Sequence, residues 1–473
     1  MTQTVCVDEQ WNNPGMVYVE NDIVYSCTLN QTNIGENKNK FYIMQIIHDG
    51  NKYWHYIRYG RIGERGTILK DYYTSSDDCI VAFMKQFKSK TGNKWNTEFV
   101  KKQGKYYMSQ MEKVIVKIEE IEPIEKPMSL LDPRVQHLLS LISDTSMMSN
   151  TLVSLNVDTK KLPLGKISNE QINKANDVLK IILNILNGNM DRQELETATN
   201  DFYNYIPYSC GRNRPPLISD IDTVGKYSEM LEELSNIVVA TKIMSSSSNV
   251  TLDSVYHELN TIIEPLDKTN PMWNVISDYI VNTHGHTHKF SIELLDIYEI
   301  KRNGEYDKYT ECVKNINNRQ LLFHGSRLSN FCSILQRGLL LNPESLGVPI
   351  AGKMFGYGIY GANSCSKSFQ YTCAETSNDI GALLLCEFAL GNQYKCLSSD
   401  VYASKKKLDN IGCDSTYGQG KFKPKTGVTI DNVFIPNGKL EKSGVNSDLV
   451  YDECIIYDMN QLVIKYLILF KEC

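Results

Sequence analysis

No run in this sequence is both long and apolar enough to span a bilayer as a helix. Met1 to Asn12 is polar and acidic and lacks the basic flank and apolar stretch of a secretory leader, so the chain is expected to stay inside the cell. None of the 13 cysteines falls in C-x-x-C spacing, and none pairs with histidine at zinc spacing. An odd, scattered set excludes the disulfide framework of a small secreted domain and reads as reduced thiols. Internal repeats are lacking. So is a long basic tract, since Lys405-Lys406-Lys407 is too short to mark nuclear import.

What is present is an ordinary globular composition, 42% hydrophobic and 22% charged, over 473 residues. That length exceeds one core and predicts two to four domains. The net charge of -5 conceals a split, because Glu36 to Lys113 holds 15 Lys/Arg against 8 Asp/Glu. A module near +7 on an acidic protein steers toward phosphates, although a solvated lysine-rich face has the same composition. Three histidines alternate in Thr283-His284-Gly285-His286-Thr287-His288. A strand would put them on one face as a metal site, but no cysteine or carboxylate cluster lies nearby, and helix-end or surface histidines are the plainer reading.

Three regimes follow one another. From about Met16 to Ile118, short alternating runs such as Lys40 to Ile47 and Tyr53 to Tyr59 are separated by glycine turns. They predict a small antiparallel sheet, joined by a helix over Asp77 to Thr91 with Ile80, Val81, Phe83, Met84 and Phe87 at helical spacing. Residues 1–15 form an N-terminal tail, 16–116 the first domain, and 117–129 an extended linker rich in Pro and Glu. Residues 130–267 read as a helical bundle. Asp132-Pro133 starts one helix, Ser168-Asn169-Glu170-Gln171 is a capping box for a second that stops at Gly188, and Met230 to Val238 lies in a third. Residues 268–473 return to strands (Ile292 to Ile300, Gln320 to Phe323, Ala382 to Leu390, Glu453 to Tyr457, Leu462 to Phe470) in a mixed or antiparallel sheet. The fold class is therefore α+β and multidomain.

Gly356-Tyr357-Gly358-Ile359-Tyr360-Gly361 matches G-x-G-x-x-G, but the residues before it read as a loop, where a dinucleotide-binding motif needs an apolar strand. More informative are four segments in order. They are Leu321-Leu322-Phe323-His324-Gly325-Ser326-Arg327, Gly356 to Tyr360, Ser366-Lys367-Ser368-Phe369-Gln370-Tyr371, and Val450-Tyr451-Asp452-Glu453 leading into an apolar strand. From Leu321 onward this closely resembles the catalytic domain of poly(ADP-ribose) polymerases, with its His-Tyr-Glu signature.

The resemblance implies that NAD+ is the substrate, split at its nicotinamide bond, with no metal taking part. It implies that the Gly325 backbone and Ser368 hold the carboxamide, that Tyr360 and Tyr371 sandwich the ring, and that His324, with Ser326 and Asn330 nearby, anchors the adenosine side. It makes Glu453, His324, Tyr360 and Lys367 the catalytic set, Glu453 bonding the ribose 2′-OH and polarising the breaking bond. Taken singly, each residue has a plainer reading as a core aromatic or a strand-end polar group. Family members that retain the acid tend to elongate chains, so Glu453 points to polymerase activity.

Upstream, Leu162 to Ser168, Phe202 to Pro207 and Glu229 to Leu234 resemble the family's regulatory helical domain. That likeness implies a lid that loosens when DNA binds; a bundle that only buttresses the sheet is the alternative. Leu29 to Asn33, Asn39 to Tyr42, Tyr59-Gly60-Arg61 and Lys105 to Met108 resemble the WGR domain, with Tyr59 in place of the name-giving Trp. Asn39, Tyr59, Arg61 and Tyr106 are then the candidates for contacting damaged or nicked DNA, or else Tyr59 and Arg61 bridge to the helices without touching it. Asn236, Leu340 and Lys353 stand where relatives usually carry an acid, an arginine and a tyrosine, which alters the adenosine subsite. The whole resembles the short, WGR-led type. Protein acceptors including the enzyme itself, an accessory factor, a nuclear location and no membrane are the implied associations. A catalytically degenerate DNA-end scaffold and a DNA-independent mono-ADP-ribosyltransferase stay open as other readings.

Overall fold

A computed structural model describes residues 7–108, 129–155, 157, 168–188, 191–245, 251–341 and 354–473. By their contacts they form two compact units. One draws on the described residues of 1–125 and 151–238, the other on those of 126–150 and 239–473. No helix among the described residues is long and apolar enough to cross a membrane.

The first unit is built on an antiparallel sheet of β1 (Ser26–Asn33), β2 (Lys38–His48), β3 (Tyr53–Arg61), β4 (Thr67–Tyr73) and β5 (Tyr107–Met108), in the order β4-β3-β2-β1-β5. Helix α1 (Ser76–Thr91) covers one face, burying Cys79, Ile80, Phe83 and Phe87 against Leu29, Tyr42, Met44, Ile46 and Ile57. The helix is where periodicity predicts it, but the buried stripe is narrower. Val81 is 64% exposed and Met84 39%, because a helix on a small sheet hides only one side.

The opposite face is covered by the N-terminal segment, which is docked rather than free. Asp8 accepts from Arg58 Nε at 2.9 Å, Arg58 Nη2 at 2.8 Å and Tyr56 Oη at 2.8 Å, and its own N–H donates to Gln45. Trp11 packs edge-on against Trp54 and Tyr56.

Two amphipathic helices join this sheet. Helix α2 (Asn169–Asn187) starts at Ser168, whose hydroxyl accepts from Gln171 N, and α3 (Arg192–Tyr205) starts at Asp191 in the same manner. Ile172, Ala175, Leu179 and Ile182 are buried as the spacing predicts. Helix α3 abuts the end of β1, past the short β5 that pairs only with Leu29 and Asn30: Thr32 N donates to Asn204 at 2.8 Å and Ile34 N to Asn200 at 2.7 Å. These amides satisfy two backbone donors that a bare sheet edge would leave open. Helix α4 (Ile221–Ser245) carries the expected Met230, Leu231, Leu234, Ile237 and Val238, all buried. The helical stretch read as one bundle thus divides between the units, with Pro133–Ile142 and Leu252–Leu259 belonging to the second. Leu162 to Ile167, Lys353 and nearly all of the 117–129 linker lie outside the described residues.

Among its described residues the second unit holds two main sheets and a two-stranded pair, Phe422–Pro424 with Leu440–Lys442. The larger runs β13-β14-β8-β10-β16-β7-β6, formed by β6 (Thr261–Pro265), β7 (Ile292–Arg302), β8 (Arg319–Ser326), β10 (Ile380–Ala389), β13 (Val428–Ile430), β14 (Val433–Ile435) and β16 (Leu462–Glu472). Its pairs are antiparallel except β8 with β14. Helix α5 (Pro271–Asn282) packs Ile276, Tyr279 and Ile280 onto Leu321, Phe323, Leu383 and Ile468. The smaller sheet runs β9-β15-β12-β11, with β9 (Ile359–Gly361), β11 (Gln393–Cys396), β12 (Ser415–Gly418) and β15 (Glu453–Ile456). A two-way backbone bridge between Phe323 and Ala362, both bonds 2.9 Å, ties the end of β9 to β8. That bridge positions the candidate site.

Candidate active site

The site assembles where the two sheets meet. His324 sits near the end of β8, directly after the bridge residue Phe323, and its Nδ1 lies 2.9 Å from the Tyr360 carbonyl. A carbonyl only accepts, so Nδ1 carries the proton and fixes the ring against β9. Tyr360 in turn pairs with Ile455 across β9 and β15, two residues from Glu453. Its hydroxyl donates to Gly356 O at 2.8 Å and accepts from Phe355 N at 3.0 Å, which closes the Phe355–Tyr360 loop on itself. Burial pushes the Tyr360 phenol well above the usual range, and the nearby charges of Glu453 and Tyr371 add to the rise.

Glu453 opens β15 and is 7% exposed. Its Oε1 lies 2.6 Å from Lys367 Nζ, on α6 (Cys365–Phe369), and Lys367 also donates to the Tyr451 carbonyl at 3.4 Å. The other oxygen, Oε2, is buried and accepts no hydrogen bond among the described residues. An orphaned carboxylate oxygen in a protein interior costs free energy, and such sites are filled by a ligand hydroxyl or water. This is the observation on which a ribose fit can be judged, and the residue type matches.

Gly325 follows His324 and has no room for a side chain, since a Cβ there would sit 1.8 Å from the Ser368 carbonyl. Its backbone and the buried Ser368 are thereby brought side by side, and Ser368 Oγ donates to Phe323 O at 3.0 Å. Ser326 accepts from Asn330 Nδ2 at 3.0 Å. Tyr371, at the end of the same short helical segment, is 59% exposed. Thus β8, β9, α6 and β15 bring His324, Gly325, Tyr360, Lys367, Ser368 and Glu453 to one place, with Tyr371 at its edge. Leu340 is 43% exposed, and Asn236 lies on α4 in the first unit.

The glycine-rich stretch serves packing, not a phosphate. No strand precedes it among the described residues, and β9 begins inside it at Ile359. A Cβ at Gly358 would meet Ile455 at 2.2 Å, and one at Gly361 would meet Phe388 at 2.8 Å, so these glycines let β9 lie close on its neighbours.

The histidine trio follows the C-terminus of α5 in a loop, not a strand. His288 Nδ1 is 2.7 Å from Ser366 Oγ, which accepts from Gly285 N, and the His288 ring stands 5.3 Å from Tyr451. Burial lowers the His288 pKa, with His284, Lys367 and His286 adding to it. Ser366 and Tyr451 thus lie against the back of the Lys367–Glu453 pair. Sequence reading quoted both residues without assigning them this contact.

In the first unit the four DNA candidates separate. Tyr59 stacks on Tyr42 at 5.6 Å between ring centroids, and Tyr106 packs on the other side of Tyr42 at 5.7 Å. Asn39 is fully buried, its amide donating to Tyr208 O at 2.9 Å. Arg61 donates to Asn37 O at 2.9 Å, to Gly211 O at 2.5 Å and to Asn213 O. Arg61 and Asn39 therefore hold the 208–213 loop, which is the bridging arrangement, while Tyr59 and Tyr106 form an aromatic cluster under α1.

Comparison with known proteins gives a consistent result. Residues 25–103 match the WGR domain family, 129–267 the poly(ADP-ribose) polymerase regulatory domain, and 272–472 the poly(ADP-ribose) polymerase catalytic domain. The chain is 35% identical over 477 residues to poly(ADP-ribose) polymerase 2 of Homo sapiens, covering 96% of this chain and 80% of that protein. It is 36% identical over 479 residues to poly(ADP-ribose) polymerase 2 of Arabidopsis thaliana, covering 95% and 73%. Against the poly(ADP-ribose) polymerase of Sarcophaga peregrina identity is 34% over 467 residues, 96% of this chain but 46% of that protein, so the chain spans about half the length of some relatives it matches.

Proposed function

This chain belongs to the poly(ADP-ribose) polymerase family, and we propose that it splits NAD+, transfers ADP-ribose to proteins including itself, and elongates the chain in response to DNA breaks. The observation that carries the reading is Glu453, buried, oriented by Lys367, and left with one oxygen unpartnered among the described residues, near His324 and Tyr360.

Breaking the bond between ribose and nicotinamide builds positive charge on the sugar, and a fixed carboxylate in a dry site stabilises it. Glu453 supplies that charge, and its Oε2 accepts from the 2′-OH of the nicotinamide ribose. Lys367 holds Oε1 so that Oε2 keeps one direction. The leaving ring is held flat between Tyr360 and Tyr371, with its carboxamide on the Gly325 backbone and Ser368. His324, its ring fixed by the Tyr360 carbonyl, bonds the adenosine ribose, near Ser326 and Asn330. Rigid anchors at both ends of the substrate convert binding into alignment.

For DNA, Arg61 is the informative residue. Its guanidinium holds neutral carbonyls of the 208–213 loop, and a phosphate, being charged, is the stronger acceptor. A DNA end on Tyr59 and Tyr106 that draws Arg61 away would release the loop and the helices behind it, shifting their population toward an open form. Such work at DNA breaks implies a nuclear location, which belongs to the same proposal.

Incubation with labelled NAD+ and gel mobility separates the readings. With nicked DNA the label runs as a smear, and without DNA it falls by roughly 5- to 150-fold, the span of couplings of about one to three kcal/mol. Equal smears would remove DNA control, a sharp band would indicate single-unit transfer, and no label would leave a DNA-binding scaffold.

A further inference from the structure

Directly before Glu453 lies a second buried acid. Asp452 is 1% exposed, and three donors converge on its carboxylate. Gly420 N donates to Oδ1 at 2.7 Å, while Asn363 Nδ2 at 2.9 Å and Tyr417 Oη at 2.8 Å both donate to Oδ2. Lys423 donates to Tyr417 Oη at 3.4 Å, so this cation acts on the carboxylate through the phenol. Burial pushes the Asp452 pKa up, and the three donors with Lys423 pull against that rise.

These partners come from the two strands that flank β15 and from the residues that follow them. Asn363 follows β9, Tyr417 lies in β12 opposite Cys454, and Gly418 pairs with Glu453 itself. Gly420 is pressed so closely on the chain that a Cβ there would stand 2.3 Å from the Tyr451 carbonyl carbon and 2.5 Å from Asp452 N. The Asp452 side chain thus folds back and pins its own backbone to the Gly418–Gly420 segment, one residue before Glu453.

We infer that Asp452 is a positioning residue for the transfer reaction: its threefold-held carboxylate fixes the entry into β15 and so sets where the Glu453 carboxylate stands. The inference rests on the reading of Glu453 given above. The acceptor geometry is demanding, because all three partners donate. An amide at 452 removes the charge and turns an N–H toward Gly420 or toward Asn363 and Tyr417, which must then reorient to accept it. Asn363 has complementary slack, since its Oδ1 is buried and accepts nothing among the described residues.

Steady-state NAD+ turnover in the full chain tests this with a reciprocal pair. Asp452→Asn is expected to lower kcat by about tenfold to a hundredfold, as an ångström-scale misplacement does, with KM for NAD+ within about twofold. The exchange Asn363→Asp with Asp452→Asn restores one donor–acceptor match and is expected to return kcat to within about threefold of the parent. If Asp452→Asn does not fold, Tyr417→Phe, which removes one donor at nearly constant volume, is expected to lower kcat about three- to tenfold at unchanged KM. Unchanged kcat in the folded variants, or an exchange no better than Asp452→Asn, overturns the inference. If Glu453→Gln is itself fully active, it is the underlying reading that fails.

Discussion

Replacing Glu453 by Gln lowers NAD+-dependent labelling by about a hundredfold to a thousandfold, the size of effect seen when one fixed charge-stabilising group is removed. The two side chains share shape, so the expected loss is not one of folding. Glu453 is paired at 2.6 Å with Lys367 and keeps Oε2 unpartnered. The amide removes the charge, and its NH2 faces either the lysine or the ribose position. If, as the proposed function has it, the same carboxylate serves elongation by orienting the acceptor hydroxyl, whatever label remains should run as short products. Melting temperature and DNA affinity should match the parent. Long polymer at the parent rate would show that Glu453 has no part in elongation.

The second large effect lies in stability. Asp8→Ala leaves Arg58 without its bidentate partner in a place where the two side chains are only 4% and 3% exposed. Removing one member of a buried ion pair costs about 3–5 kcal/mol, because the remaining charge stays desolvated. The Tyr56 hydroxyl and Arg58 Nε lose their acceptor together, while Arg58 Nη1 keeps the Arg65 carbonyl and Glu9 stands 3.6 Å from Nη2. Urea unfolding followed by tryptophan fluorescence reports on this unit through Trp11, Trp54 and Trp95. An unfolding free energy within about 0.5 kcal/mol of the parent, the range of ordinary surface substitutions, would show that the N-terminal segment contributes little.

That segment also shows where sequence reading stops. Met1 to Asn12 is polar, and polarity alone gives a tail. Its docking depends on Arg58 and Gln45, on strands 37 to 50 residues away, which no local period encodes. The same holds for Asn39 and Arg61, whose acceptors lie about 150 to 170 residues further on in the 208–213 loop. The likeness to the WGR domain marked them for DNA, and the present fold occupies both with backbone carbonyls.

Apolar strands were readable to within a few residues, since Ile292–Arg302 and Leu462–Glu472 carry their core face in the chain itself. Val81 and Met84 misled because helical spacing marks a broad stripe and a small sheet covers a narrow one. Of the candidate site, His324, Tyr360, Lys367 and Glu453 were readable because each sits in a short local motif. Asp452 was not: an acid beside an acid looks like surface charge until Asn363, Tyr417 and Gly420 are seen around it.

The account turns on a pocket shaped for the nicotinamide end of NAD+, and a crystal structure with nicotinamide bound reads it out directly. The expected density is a flat ring between Tyr360 and Tyr371, its carboxamide bonded to the Gly325 backbone and to Ser368, with Glu453 facing the side where the ribose would attach. A ring bound elsewhere, or a Glu453 carboxylate turned away from the occupied pocket, would contradict it.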